Sequence, residues 1–177
     1  VVDSVPTTTL ELILHDVPFV PQAPFGEWRD RRQQDGCEEA SMLMAVYWAR
    51  DGDIDYGKGK EEILAISGYE KEKYGGFIDT SADDTVERIA MGYFNYDKIK
   101  TGYFIKKEDI VRELYLGNIV VIPVNGQLIG NKHFTPPGPE RHMLLITGYD
   151  PETKEFITND PGTKRGKGYR YNEDILF

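Results

Sequence analysis

The spacing of apolar residues predicts helices in the first two thirds of the chain. Within residues 37–50, apolar side chains recur at positions i, i+3, i+4 and i+7, the pattern of a helix face that packs in a core. These apolar positions are Ala40, Leu43, Met44 and Tyr47. Further patterns of this kind predict helices over residues 60–67, 83–93 and 107–116.

The pattern changes after Gly117, where continuous apolar runs replace the helical spacing. Residues 119–124 and 143–147 are typical of buried strands, and residues 156–158 form a third short apolar run. A tight turn through residues 150–154 joins the second strand to the third. Helices followed by strands predict an α+β domain in which the first helix packs on an antiparallel sheet.

The composition agrees with one globular domain. The chain has 177 residues, of which 40% are hydrophobic and 29% charged, enough to build a full core. No internal repeat, linker or low-complexity stretch divides it. We therefore predict an N-terminal arm or edge strand over residues 1–16 and a single domain over residues 17–177.

The charge of the chain limits its partners. The formal net charge is −9, so binding to nucleic acid or to an anionic membrane surface meets repulsion. No apolar run reaches the roughly 18 residues of a membrane span. Because the chain begins at Val1 without methionine, we expect a removed leader or anchor and a location outside the cytoplasm or at the cell surface. The oligomeric state is left open.

Cys37 is the only cysteine, and it stands where a turn meets the first predicted helix. A helix N-terminus offers unpaired N–H groups and a positive dipole end, which stabilise a thiolate nucleophile. The alternative is a small buried residue of the core, a common role for free cysteine. A lone cysteine excludes an internal disulfide framework and a zinc site built on several thiolates.

A histidine and an acid or amide are predicted to meet at one end of the sheet. His142 opens the second predicted strand, and the third strand ends at Asn159 and Asp160. The short turn between these strands brings their ends together, so Asp160 or Asn159 can orient the imidazole, as in a catalytic triad. A structural histidine beside an ordinary Asp-Pro-Gly turn is the alternative. His133 lacks the strand context and is the poorer candidate base.

Four segments together resemble the papain-like cysteine peptidases of the bacteriocin-processing, double-glycine leader peptidase-like type. The resemblance covers residues 17–177. Its segments are Val-Pro-Phe-Val-Pro-Gln at 17–22, Asp-Gly-Cys-Glu-Glu-Ala-Ser at 35–41, His-Met-Leu-Leu-Ile-Thr-Gly-Tyr-Asp at 142–150 and Asn-Asp-Pro at 159–161.

The resemblance implies a papain-like fold whose catalytic helix packs on the antiparallel sheet. It implies Cys37 as the nucleophile, His142 as general base and then acid, and Asp160 as the orienting residue. Gln22 and the backbone N–H of Cys37 then form the oxyanion hole. The implied reaction hydrolyses a peptide or protein substrate through a thioester acyl-enzyme, with no metal or cofactor.

Two departures from the family pattern bear on activity. Relatives often carry Gly-Pro after the cysteine, whereas this chain has Glu38 and Glu39, and adjacent negative charge disfavours a thiolate. The loop between Gln22 and the cysteine is also longer than usual, so Gln33 or Gln34 is an alternative donor to the oxyanion hole.

Two other functions remain open. Glu38 and Glu39 favour a weakly active or inactive binding module on the cell surface, whereas the intact set of Cys37, His142 and Asp160 opposes it. The same triad also suits a transpeptidase or amidase, in which an amine accepts the acyl group or an amide is the substrate. The sequence does not name the substrate, and no transporter segment supports double-glycine specificity.

Overall fold

The structure, a computed structural model, describes residues 11–177 and has the predicted α+β class. Most of its helices precede four of its five strands, whereas one short strand comes before the first helix and one short helix follows the last strand. The part of the predicted N-terminal arm that falls on residues 1–10 lies outside the described residues. The helices are α1 (Arg31–Gln34), α2 (Cys37–Ala49), α3 (Tyr56–Tyr74), α4 (Ala82–Asp84), which continues as a π-helical segment (Thr85–Tyr93), α5 (Lys107–Tyr115) and α6 (Glu173–Leu176). The strands are β1 (Ile13–Leu14), β2 (Val120–Val124), β3 (His142–Asp150), β4 (Glu155–Asn159) and β5 (Lys167–Asn172).

Strand β3 is the centre of the antiparallel sheet. It pairs with β4 along one edge, and β4 pairs with β5. Along its other edge β3 pairs with β2 near its start and with β1 near its end. Val124 faces His142 and Leu145 faces Asn159 in this register. The beginning of β3 and the end of β4 therefore lie together at one end of the sheet.

A glycine is needed where β1 meets β3. A Cβ atom added to Gly148 would lie 2.4 Å from the carbonyl oxygen of Ile13, closer than any van der Waals contact. The β3–β4 register shifts between Ile146 and Gly148, a local irregularity of the kind that marks a β-bulge. Gly148 thus allows the short edge strand to approach β3.

Helix α2 lies against β3 and is buried on nearly all sides. Its first eight residues, 37–44, are all buried, as expected of a helix enclosed between other elements. One core cluster joins α2 to α3, the π-helical segment and β3. A second cluster joins α5 to the sheet through Leu144, Ile146 and Phe156. The first cluster therefore packs α2 on β3, and the second covers β3 with α5.

The predicted helices differ from the observed ones in length, and most of the helix predicted over residues 83–93 is π-helical. The helix predicted over residues 60–67 extends over Tyr56–Tyr74, because capping residues outside the apolar stretch set its two ends. The Asp55 side chain accepts a hydrogen bond from the Lys58 N–H at 2.8 Å, and Gly75 ends the helix at φ 85°, the left-handed conformation that glycine adopts readily. The strands predicted in β2, β3 and β4 are confirmed.

The last strand and helix were not predicted. Strand β5 shows only weak alternation, with Tyr169 and Tyr171 between charged and polar residues. It forms because it pairs with the edge of β4 that β3 leaves free. In the part of the chain that the structure describes, no helix combines the length and apolar character needed to span a membrane.

Candidate active site

Cys37 is the first residue of α2, directly after a tight turn. Asp30 caps α1, its carboxylate accepting a hydrogen bond from the Arg32 N–H, and the chain turns at Gly36 into the next helix. A Cβ atom on Gly36 would lie 2.6 Å from the carbonyl oxygen of Arg32, so only glycine fits there. This turn places the Cys37 thiol at the N-terminus of α2, where it is buried and 7% exposed.

The first turn of α2 is tied to the start of β3 through Met143. The backbone of Met143 acts to lower the pKa of the Cys37 thiol, against the larger effect of burial. The hydroxyl of Ser41, one turn later, donates to the carbonyl oxygen of Met143 at 3.2 Å. Because Met143 directly follows His142, the start of α2 lies beside the residue pair that opens β3.

His142 and Asp160 form a buried contact at the same end of the sheet. His142 Nε2 lies 2.8 Å from Asp160 Oδ1, and both side chains are buried. This contact leaves Nδ1 as the ring nitrogen able to exchange a proton with another group. A Cβ atom on Gly162 would lie 3.1 Å from His142 Cε1, so the glycine leaves room for the ring. Phe134 packs edge-on against that ring, with centroids 5.3 Å apart.

Asp160 is held as a carboxylate by several donors. The Tyr171 hydroxyl donates to Oδ2 at 2.5 Å, and the Asn131 amide donates to the same oxygen at 3.0 Å. The Gly162 N–H donates to Oδ1 at 2.9 Å. Burial alone would raise the pKa of Asp160, but hydrogen bonds from His142, Tyr171 and Gly162 outweigh it and hold the pKa below its usual value.

Asn159, the alternative orienting residue, points elsewhere. Its amide donates to the carbonyl oxygens of Val17 and Pro18, each at 3.3 Å. Its side-chain oxygen accepts from the Gly168 N–H at 3.3 Å. Successive residues of an extended chain face opposite sides, so only one of the two neighbours can reach the imidazole. In this structure it is Asp160.

Gln22 lies between the Asp-Pro turn and the loop that leads to Cys37. Its backbone N–H donates to Pro161 O at 2.9 Å, and its side-chain amide donates to Gln33 O at 3.0 Å and Gln34 O at 2.7 Å. Both amide hydrogens are thereby used on backbone carbonyls. Gln33 is buried, whereas Gln34 is exposed. Gln22 therefore anchors the loop before α2 in this geometry.

Glu38 contacts the thiol directly. The Cys37 sulfur donates a hydrogen bond to Glu38 Oε2 at 3.0 Å. Burial raises the pKa of the Cys37 thiol well above its ordinary value, and the negative charges of Glu38 and Glu39 raise it further. Burial also raises the pKa of Glu38, which is 5% exposed. The arrangement stabilises a protonated thiol that donates to a carboxylate.

A cleft of about 270 Å³ opens beside His142 and Glu38. Part of its wall comes from the end of β2 and the residues that precede β3. Its ionisable lining residues are Glu38, Asp79, Glu140, Arg141 and His142. A substrate that reaches the thiol from this side passes these groups.

Comparison with known families decides the relationship of the chain. The model of the Peptidase_C39 like family matches residues 14–176, almost the whole chain. The chain belongs to the Peptidase_C39 like family. No curated protein and no solved structure matches it. The suspected relationship to cysteine peptidases of this type is thereby confirmed.

In this Peptidase_C39 like chain, two residues of the site were not found from the sequence. Asn131 donates to Asp160 and also to the Tyr171 hydroxyl, the latter at 2.7 Å. Asn131 stands in a loop and Tyr171 in the unpredicted β5, so neither carries a local motif. Only the fold reveals that they meet. Within residues 11–177, no three His, Cys, Asp or Glu side chains converge to hold a metal ion.

Proposed function

We propose that the chain is a cysteine peptidase that hydrolyses peptide bonds with Cys37, His142 and Asp160. The proposal includes a papain-like fold in which α2 is the catalytic helix. The observation that supports it most is the buried 2.8 Å contact between His142 and Asp160. It lies at the start of β3, where the next residue, Met143, accepts a hydrogen bond from Ser41, one turn after Cys37 in α2. Membership of the Peptidase_C39 like family supports the same class of activity.

The proposed reaction proceeds through a thioester. His142 Nδ1 takes the thiol proton, and the sulfur forms a bond to the carbonyl carbon of the peptide. The C–N bond then breaks as the imidazolium gives its proton to the leaving amine. A water molecule attacks the thioester while His142 takes its proton. The C–S bond breaks, and the carboxylic acid product and the Cys37 thiol are released.

Asp160 has an orienting role in this proposal. Its carboxylate fixes the ring through Nε2 and stabilises the imidazolium that forms during both steps. The Tyr171 and Asn131 donors fix the carboxylate in turn. Because both carboxylate oxygens of Asp160 are held by donors, the carboxylate needs little reorganisation when positive charge develops on the His142 ring.

The oxyanion hole in this proposal uses the Cys37 N–H and the Gln22 amide. Backbone N–H groups in the first turn of a helix have no intrahelical partner, so the Cys37 N–H is available to an oxyanion. The Gln22 amide donates to Gln33 O and Gln34 O, so its participation requires the oxyanion to replace one of these carbonyls.

Proton transfer to His142 requires a change at the thiol. The Cys37 S–H donates to Glu38 in this geometry. Rotation about the Cα–Cβ bond redirects the sulfur and its proton away from Glu38. Glu38 therefore stabilises a resting arrangement from which the reactive one is reached.

Covalent labelling tests the proposal. A capped peptidyl acyloxymethyl ketone is incubated with the protein, and the adduct is measured by intact mass. We expect one adduct on the wild type, none on Cys37→Ala, and labelling at least about a hundredfold slower on His142→Ala. Circular dichroism shows whether each variant is folded. An unlabelled wild type, or equal labelling of folded His142→Ala, contradicts the proposal.

A binding module without turnover is the second candidate, favoured by the contact between Cys37 and Glu38. The raised thiol pKa lowers the fraction of nucleophilic thiolate at neutral pH. Peptides that bind the folded wild type, remain uncut and leave the thiol unmodified would support this candidate. A transpeptidase or amidase would instead form the same adduct and pass the acyl group to an amine, or take an amide substrate.

A further inference from the structure

We propose that the cleft beside His142 binds a cationic group of the substrate, an ammonium or a guanidinium. This inference rests on the proposed function and extends it to a substrate class. The cleft is lined by the carboxylates of Glu38, Asp79 and Glu140. Glu38 lines the cleft and also accepts a hydrogen bond from the Cys37 sulfur. A cation held by Glu38 therefore lies beside the thiol.

The charge of the cleft favours a cation. Three acidic side chains line it, and the two basic ones are the guanidinium of Arg141 and the imidazole of His142. Arg141 Nη1 lies 3.3 Å from Asp79 Oδ2, and the two side chains are 73% and 45% exposed. Exposed ion pairs of this kind contribute little free energy, so a substrate cation can compete for Asp79. Acidic side chains therefore outnumber basic ones in the cleft.

The burial of Glu38 gives a second reason to expect a cation. It is 5% exposed, yet no lysine, arginine or histidine nitrogen among residues 11–177 lies within salt-bridge distance of its carboxylate. The hydrogen bond that its side chain accepts comes from the thiol, a weak donor. Burial raises the pKa of this carboxyl, and the charge of His142 acts to lower it, so its ionised form is favoured by a cationic partner. A cation from the substrate would supply this partner.

Such a cation also has a chemical consequence at the thiol. A positive group beside Glu38 offsets the negative charge that disfavours the Cys37 thiolate. It also offers the carboxylate a stronger hydrogen-bond donor than the thiol. The Cys37 proton is then free to pass to His142. Substrate binding and thiol activation are thereby coupled through one carboxylate.

Peptide binding to Cys37→Ala tests the proposal without any chemical step. The probes are capped, fluorophore-labelled Ala-X-Ala tripeptides in which X is lysine, arginine, norleucine or glutamate. An otherwise identical norleucine peptide with a free α-amino group shows whether the cation comes from a side chain or from an N-terminus. We expect a preference of about tenfold or more for at least one cationic peptide over capped norleucine, falling as salt screens the charges.

Charge-neutral variants locate this preference. In the Cys37→Ala background, Asp79→Asn with Glu140→Gln removes two charges from the cleft. The control, Glu108→Gln with Glu152→Gln, removes two charges from exposed positions elsewhere. We expect the first pair to lower the preference at least about threefold and the control to keep it. Equal binding of cationic and neutral peptides, no detectable binding, or equal loss in both pairs overturns the proposal.

The outcomes separate this proposal from the peptidase itself. If the wild type is labelled at Cys37 but Cys37→Ala shows no preference for cationic peptides, the peptidase proposal stands and the cation-site proposal is wrong. If Cys37→Ala binds cationic peptides through the cleft but no electrophile labels the wild type, the cation-site proposal stands and the peptidase proposal is wrong.

Discussion

At the scale of single residues, the site combines a well-supported His142–Asp160 pair with an unusual neighbour of the thiol. The pair lies where the β3–β4 hairpin brings its strand ends together, so its proximity was predictable from the short turn between the strands. The contact between Glu38 and Cys37 was foreseen only as an adverse charge. The hydrogen bond itself depends on burial by surrounding elements, which no local pattern encodes.

Replacement of Glu38 by glutamine should make Cys37 more reactive. The change removes the adjacent negative charge that raises the pKa of the thiol, so more thiolate is present at pH 7 to 8. We expect iodoacetamide to alkylate Glu38→Gln roughly three- to tenfold faster than the wild type. Exposed Glu61→Gln is the control. Slower alkylation of Glu38→Gln would instead show that Glu38 acts as a base for the thiol.

Replacement of Tyr171 by phenylalanine should weaken the orientation of His142. The hydroxyl that donates to Asp160 at 2.5 Å is lost, and the pKa of Asp160 rises towards its ordinary value. We expect labelling by the peptidyl electrophile to slow roughly two- to tenfold. We also expect the acidic limb of the curve of labelling rate against pH to shift. The control is Tyr169→Phe in the same strand, since no hydrogen bond within residues 11–177 uses the Tyr169 hydroxyl. Equal effects of both changes would exclude this positioning role.

At the scale of elements, apolar spacing predicted α2 and the three central strands because burial dominates their sequences. It did not predict β5, whose formation depends on the free edge of β4. It also underestimated α3, whose ends are set by Asp55 and Gly75 beyond its apolar stretch. Elements that depend on a partner edge or on capping geometry leave weaker local patterns than elements enclosed in the core.

The junction of β1 and β3 should be sensitive to one added methyl group. Gly148→Ala places a Cβ against the Ile13 carbonyl, so we expect a loss of about 1–3 kcal/mol in the free energy of unfolding. Gly68→Ala in the interior of α3 meets no atom within 4 Å and should stabilise by about 0.5–1 kcal/mol. Urea unfolding measures both. A Gly148→Ala variant with the wild-type free energy of unfolding would contradict the close approach of β1 to β3 at this position.

At the scale of the whole molecule, buried carboxylates behind the site link stability to pH. Burial raises the pKa of Glu70 to about 8, and negative charge from Glu38 and Asp84 acts in the same direction against Arg88. Burial also raises the pKa of Glu39 well above its ordinary value. Both carboxyls belong to helices that enclose the core, so their protonation affects the fold as a whole.

Glu70→Gln should therefore stabilise the protein more at higher pH. The folded state keeps a proton on Glu70 that the unfolded chain releases above about pH 4.5. The contribution of this group to stability consequently falls as pH rises from about 4.5 to about 8. We expect the glutamine variant to gain roughly 1–3 kcal/mol at pH 8 and almost nothing near pH 4.5. Exposed Glu72→Gln in the same helix should show no such gain, and a pH-independent gain would contradict the account.

Peptide cleavage tests the central claim most directly. A peptide library of varied sequence, including lysine- and arginine-rich members, is incubated with the wild type, Cys37→Ala and His142→Ala, and new amino termini are identified by mass spectrometry. The account predicts cleavage by the wild type that disappears in Cys37→Ala and falls at least about a hundredfold in His142→Ala. Cleavage that persists in Cys37→Ala, or a folded wild type that cuts no peptide, would contradict it.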